Sequence, residues 1–134
     1  MNDSGLVTVA CRRTVGETMD RFSAAVQAAG LRVFARIDHA ANAAEAGLQL
    51  RPTELLIFGN PRGGTPLMQD RQTAGIDLPV KALAWQDEDA KVWLTYNAAQ
   101  WIGHRHGLGA DSRSTLDAIA DGVANMARHA AGAM

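Results

Sequence analysis

The chain is poor in the features that would tie it to a membrane, an oxidising compartment or a polyanion. It holds one cysteine, Cys11, in 134 residues, which excludes an internal disulfide framework and fits a reducing, cytoplasmic setting. No apolar run approaches the roughly 20 residues of a membrane span. The N-terminal Met1-Asn2-Asp3-Ser4-Gly5 has neither the basic nor the apolar region of an export leader. Thirteen Lys and Arg stand against 14 Asp and Glu, a net charge of −1, so no global field favours nucleic acid or an anionic membrane; only a local basic patch fits these numbers. Repeats, low-complexity tracts and linkers are absent too. What is present is the 47% hydrophobic and 20% charged composition of an ordinary globular protein, and residues 1–134 read as one domain.

The chain is organised around the run from Leu55 to Met68. Leu55-Leu56-Ile57-Phe58 is short, apolar and uncharged, which suits a strand buried on both faces. Gly59, Asn60, Pro61, Gly63 and Gly64 then break it. Thr65 before Pro66 has the form of an N-cap followed by proline at the first helical position. The spacing predicts a helix from Pro66 to about Ala74, stopped by Gly75, with a turn over Ile76-Asp77-Leu78-Pro79.

Elsewhere the periodicities are plain. Residues 6–12 form a strand with Val7, Val9 and Cys11 toward the core. Thr14-Val15-Gly16-Glu17 is a capping box, followed at helical spacing by Val15, Met19, Phe22 and Val26, with Gly30 as the stop. Leu31–Asp38 is a second strand with Leu31, Val33, Ala35 and Ile37 on one face. Asp38 caps a short helix from His39 to Ala46. Val80–Trp85 and Lys91–Tyr96 form an antiparallel hairpin around the acidic turn Gln86–Ala90. Asn97-Ala98-Ala99-Gln100 repeats the capping-box spacing before a helix that halts at Gly107. A last helix starts near Asp111–Ser114 and buries Leu116, Ile119, Val123 and Met126. The pattern is α+β: a largely antiparallel sheet of about five strands, with helices packed mainly on one face.

Ile37-Asp38-His39-Ala40, the run Phe58–Met68, and Asp77-Leu78-Pro79-Val80-Lys81 together resemble the bacterial and archaeal domain-of-unknown-function family numbered 302. The resemblance covers nearly the whole chain. It implies a TATA-binding-protein-like α+β fold with a curved sheet, and a homodimer, but no activity. Ala90 departs from the glycine that would ease a left-handed turn. Likeness of fold to a DNA-binding protein is no evidence of DNA binding.

Several residues carry possible chemistry. Gly59 to Thr65 superficially matches a phosphate-binding loop, but its lysine is missing and Pro61 and Pro66 remove N–H groups. A smaller role survives: Asn60, Arg62, Gly63, Gly64 and Thr65 are the expected seat of a small anionic or polar ligand at a helix N-terminus. The alternative is a purely structural corner. Asp38 and His39 are an acid/base candidate, against a capping Asp and a packed histidine. Lys81 is a third catalytic candidate, able to pair with Asp77 or a bound anion, against a solvated edge-strand lysine. His104 and His106 point about 200° apart on a helix and cannot chelate one metal together. No metal site and no cofactor are expected. Trp85, Trp93, Tyr96 and Trp101 read as core or dimer contacts, and Cys11 as a core thiol rather than a nucleophile. Asp87-Glu88-Asp89 reads as a solvated turn lacking the ligands of a calcium loop.

Overall fold

A computed structural model describes residues 4–132. Met1–Asp3, part of the run that lacks leader features, lie outside the described residues. The elements are β1 (Leu6–Cys11), α1 (Val15–Ala28), β2 (Arg32–Asp38), α2 (His39–Glu45), β3 (Thr53–Gly59), α3 (Pro61–Asp70), β4 (Val80–Gln86), β5 (Val92–Asn97), α4 (Ala99–His106) and α5 (Arg113–Ala131). The strands form one sheet in the order β1-β5-β4-β3-β2, and every neighbouring pair is antiparallel. The α+β class, the five strands and the β4–β5 hairpin are as the sequence patterning requires.

One sheet face is the core. Leu56, Phe58, Ala82, Ala84 and Leu94 are fully buried on it, against Met19, Phe22 and Val26 of α1 and Val123, Met126 and Ala130 of α5. The Phe22 and Phe58 rings meet at 5.0 Å between centroids, where tilted aromatic pairs are favourable. Cys11 and Tyr96 pack against the same cluster, and burial pushes both their pKa values up. Alternation sends Leu55, Ile57, Lys81, Leu83, Trp85, Trp93 and Thr95 to the other face, where all stay partly exposed.

α1 begins where the capping box places it. The Thr14 hydroxyl oxygen accepts from Glu17 N at 3.2 Å, and its proton goes to the Glu17 carboxylate at 2.9 Å. α5 buries Leu116, Val123 and Met126, with Ile119 packed alongside.

Four expectations are corrected. The helix after β3 starts at Pro61, not Pro66, because Asn60-Pro61 is also a cap followed by proline: Asn60 Oδ1 accepts from Arg62 N at 3.0 Å. Pro66 falls inside the helix, which ends at Asp70, and Gly75 lies in a 3-10 turn (Gln72–Ile76). Second, a bulge between Val33 and Ala35 splits the β2 face. Val33 pairs with buried Phe58, whereas Ala35 and Ile37 pair with Ile57 and Leu55 on the opposite face. Third, α4 has Ala98 as N-cap and no side-chain cap. Fourth, β4 is the middle strand, so Lys81 is not on an edge.

Candidate functional site

Below the N-terminal half of α5, at the Gly59 end of β3, lies a cavity of about 540 Å³. This is the size range of small-molecule sites. Phe58, Gly59 and Val80 supply its sheet side, with Leu31 and Phe34 beside them. Gly63, Gly64, Thr65 and Met68 come from α3, and Leu78 and Pro79 from the approach to β4. α5 contributes Ser114, Thr115, Ala118, Ile119, Gly122, Val123 and Met126, the residues of one helical face.

Three of the lining residues are glycines within helices, and a helical glycine costs about 1 kcal/mol relative to alanine. Close packing does not demand them. A Cβ on Gly63 would sit 3.9 Å from Ile119, one on Gly64 3.9 Å from Leu78, and one on Gly122 would meet nothing within 4 Å. None of the three has the positive φ that would require glycine. Their effect is to leave space. Gly103 on α4 is the contrast, since its Cβ would fall 2.6 Å from Leu116 Cδ1; there glycine lets two helices approach.

Of the residues singled out in the sequence, Asn60, Gly63, Gly64 and Thr65 line this cavity and Arg62 does not. The early start of α3 changes their chemistry. The N–H groups of Gly63 and Gly64 donate to Asn60 O at 2.9 and 3.0 Å, and Thr65 lies a full turn inside the helix. Asp38 caps α2, its Oδ1 accepting from Ala41 N at 2.9 Å. Asp38 is the backbone register partner of Glu54, and Arg32 that of Gly59, which sets Asp38 and His39 roughly 16 Å along β3 from the cavity end. Lys81 projects from the sheet face opposite Val80 and Ala82, and its Nζ donates to Asp77 O at 3.3 Å and Pro79 O at 3.0 Å. The expected grouping of His39 and Lys81 with the 59–65 segment is therefore not formed.

Other polar clusters hold the walls. Asp70 Oδ2 accepts from Ser112 Oγ at 2.6 Å and Gly109 N at 2.9 Å, joining the end of α3 to the start of α5; these bonds hold its pKa below the ordinary range. Asp77 anchors the 3-10 turn to α4 through Arg105 and His106, while His104 is exposed. Asp87 is more than a solvated acid. It accepts from Trp93 Nε1 at 2.8 Å and from the N–H groups of Lys91 and Asp89, and so organises the turn in which Ala90 adopts φ 63°. Arg12, Arg13 and Lys91 line a second cavity of about 560 Å³ at the hairpin end, a local basic patch away from Arg62. Among the described residues no three His, Cys, Asp or Glu side chains gather as a metal site.

The contribution of α5 is what sequence reading missed. Ser114, Ala118 and Gly122 recur at four-residue steps, a stripe of small side chains beside the apolar one. That stripe was the available signal.

Fold and site define an α+β domain with an open antiparallel sheet and a largely apolar cavity under its longest helix. The model of the family described as "Domain of unknown function DUF302" matches residues 7–127, and the chain belongs to that family. A crystal structure of the uncharacterized conserved protein DUF302 from Bacillus stearothermophilus shares the fold, with a TM-score of 0.83 at 16% identity over 94% of this chain and 98% of that one. "Fluoride-specific ion channel FluC 1" of Brucella suis biovar 1 (strain 1330) is 52% identical over 130 residues, 97% of this chain but 51% of that protein. "Fluoride-specific ion channel FluC 2" of Brucella melitensis biotype 1 (strain 16M) is 52% identical over 48% of its length. The chain thus spans about half the length of the curated relatives it matches. Among the described residues no helix is long and apolar enough to cross a membrane.

Proposed function

We propose that this is a cytoplasmic, homodimeric small-ligand binding domain whose ligand seat is the cavity beside residues 59–65. The observation that carries the reading is the set of three helical glycines around one cavity of about 540 Å³. Helices that give up stability to keep a space empty are explained most simply by an occupant. Dimerisation is assigned to the sheet face opposite α1 and α5, where Ile57, Leu83, Trp85 and Trp93 are partly exposed. The alternative of acid/base catalysis by Asp38 and His39 draws less support, since the Asp38 carboxylate is engaged with Ala41 N.

The test is a thermal-shift screen of small polar, anionic and apolar compounds, run on the wild type, Gly122→Leu and Arg62→Ala. A ligand at about 100 times its Kd adds roughly 2.7 kcal/mol, a shift of several degrees. The shift is expected to vanish in Gly122→Leu and persist in Arg62→Ala. The reverse pattern would return the seat to Arg62 and the loop.

The names of the Brucella relatives favour a second reading. There the channel belongs to the half that this chain does not match, and the present domain is an accessory module whose bound ligand modulates it. Fluoride flux through such a relative in liposomes should survive deletion of the matching half, with loss of its ligand response.

A further inference from the structure

We propose that the cavity selects its ligand by an apolar tail, which it buries, and is indifferent to the charge of the head, which stays in water at the rim. The ligand class is then a single-chain amphiphile, anionic, cationic or neutral alike. The inference rests on the reading of this cavity as the ligand seat.

Burial divides the lining into two zones. Phe58, Val123 and Met126 are buried members of the main core cluster and close the bottom. Above them Met68, Leu78, Val80 and Ile119 are only half-buried, so their apolar side chains still have surface to offer an occupant. Covering that surface with an alkyl chain is what would hold a ligand. The floor is also adaptable, because the unbranched Met68 side chain fits irregular shapes.

The rim does not read charge. Asn60 and Thr65 at α3, and Ser114 and Ala118 on α5, are exposed, so a head lying among them keeps its hydration and suffers no desolvation penalty. No Lys, Arg, His, Asp or Glu lines the cavity to favour one sign. A cation does stand beside it: the Arg32 guanidinium lies 5.5 Å from the centroid of the Phe34 ring, and Phe34 is a lining residue. Arg32 is itself exposed, however, and a solvated charge attracts another only weakly.

The probe is N-phenyl-1-naphthylamine, a neutral apolar fluorophore that brightens when it leaves water. It would be displaced from the full chain by decanol, decanoate or decylamine, each kept below its micelle concentration. The three should compete within about fivefold of one another, and carboxylates from heptanoate to decanoate should gain about fourfold per methylene. Gly122→Leu on α5 and Gly64→Leu on α3 should each abolish uptake, and either serves should the other fail to fold. A tenfold preference for one head, or carboxylates that compete equally at every length, overturns the tail-reading site, while the cavity reading stands as long as both blocks work. Probe that binds both blocked variants as it binds the wild type overturns the two together. A wild type that takes up no probe overturns the amphiphile class alone, and the thermal-shift screen then decides the cavity reading.

Discussion

The Asp77 carboxylate lies 2.5 Å from the His106 imidazole, Oδ2 to Nε2. Arg105 Nη1 donates to both oxygens of the same carboxylate at 3.0 and 3.1 Å. His106 Nδ1 sits 3.1 Å from Thr73 Oγ1, so both ring nitrogens have a hydrogen-bond partner. The side chain of His106 is 8% exposed. This cluster fixes the segment that leads into Leu78 and Pro79, the cavity wall. His106→Ala should cost about 1–3 kcal/mol, the range for a largely buried hydrogen bond to a charged group. Urea unfolding would measure it, and an unchanged midpoint would remove the clamp from the account.

Two helical glycines should respond to alanine with opposite signs. Gly122→Ala adds a methyl to open space and should stabilise by about 0.5–1 kcal/mol through helix propensity. Gly103→Ala drives a Cβ to within 2.6 Å of Leu116 and should destabilise by about 1–3 kcal/mol through overpacking. Paired denaturation curves would check both; a destabilising Gly122→Ala would mean that the space is already filled by the protein.

The Asp87 turn should be acid-sensitive. The Trp93 indole N–H, then the Lys91 backbone N–H, hold its carboxyl below the ordinary range. The unfolded chain, with an aspartate near about 3.9, then binds the proton more readily than the native one. The contribution to stability is complete above that value and fades as pH falls through the depressed native pKa. Asp70, lowered by Ser112 Oγ and Gly109 N, acts in the same direction. Urea midpoints of wild type and Asp87→Ala should differ at neutral pH and converge in strong acid. A constant gap at every pH would contradict the linkage.

The proposed dimer face predicts a simple reversal. Trp85 and Trp93 are register partners with ring centroids 6.3 Å apart, and Leu83 follows on the same face of β4. Leu83→Glu should convert a dimer to a monomer in sedimentation with the β-sheet circular dichroism retained. A dimer that survives Leu83→Glu and Trp85→Glu would place the interface elsewhere.

Much of this fold is written in local patterns. The Thr14–Glu17 box, the 3-4-3 stripe of α5 and the alternation in β4 and β5 each concern residues within a turn or two of one another, and each is found in the structure. The misses are of another kind. Asn60-Pro61 and Thr65-Pro66 are equivalent start signals five residues apart, and only the packing of α3 against α5 and the 3-10 turns beside it chooses the first. The bulge at Phe34 reverses the facing of Ala35 and Ile37 without any glycine to announce it. The partners Asp70–Ser112 and Asp77–His106 are 42 and 29 residues apart, beyond the reach of spacing rules. The candidate site was half legible: Asn60, Gly63, Gly64 and Thr65 belong to the cavity, but its other wall is a stripe on α5 that makes sense only once the two helices face each other.

The most direct test of the central claim uses the methionine methyl groups as reporters. Met68 and Met126 line the cavity, whereas Met19, fully buried on the core face of α1, does not. In protein labelled with ¹³C at the methionine methyls, titration with N-phenyl-1-naphthylamine should shift the Met68 and Met126 resonances together, saturably, and move Met19 less than either. Saturable probe binding with both cavity methyls unmoved would show that the ligand sits elsewhere, and would contradict the account.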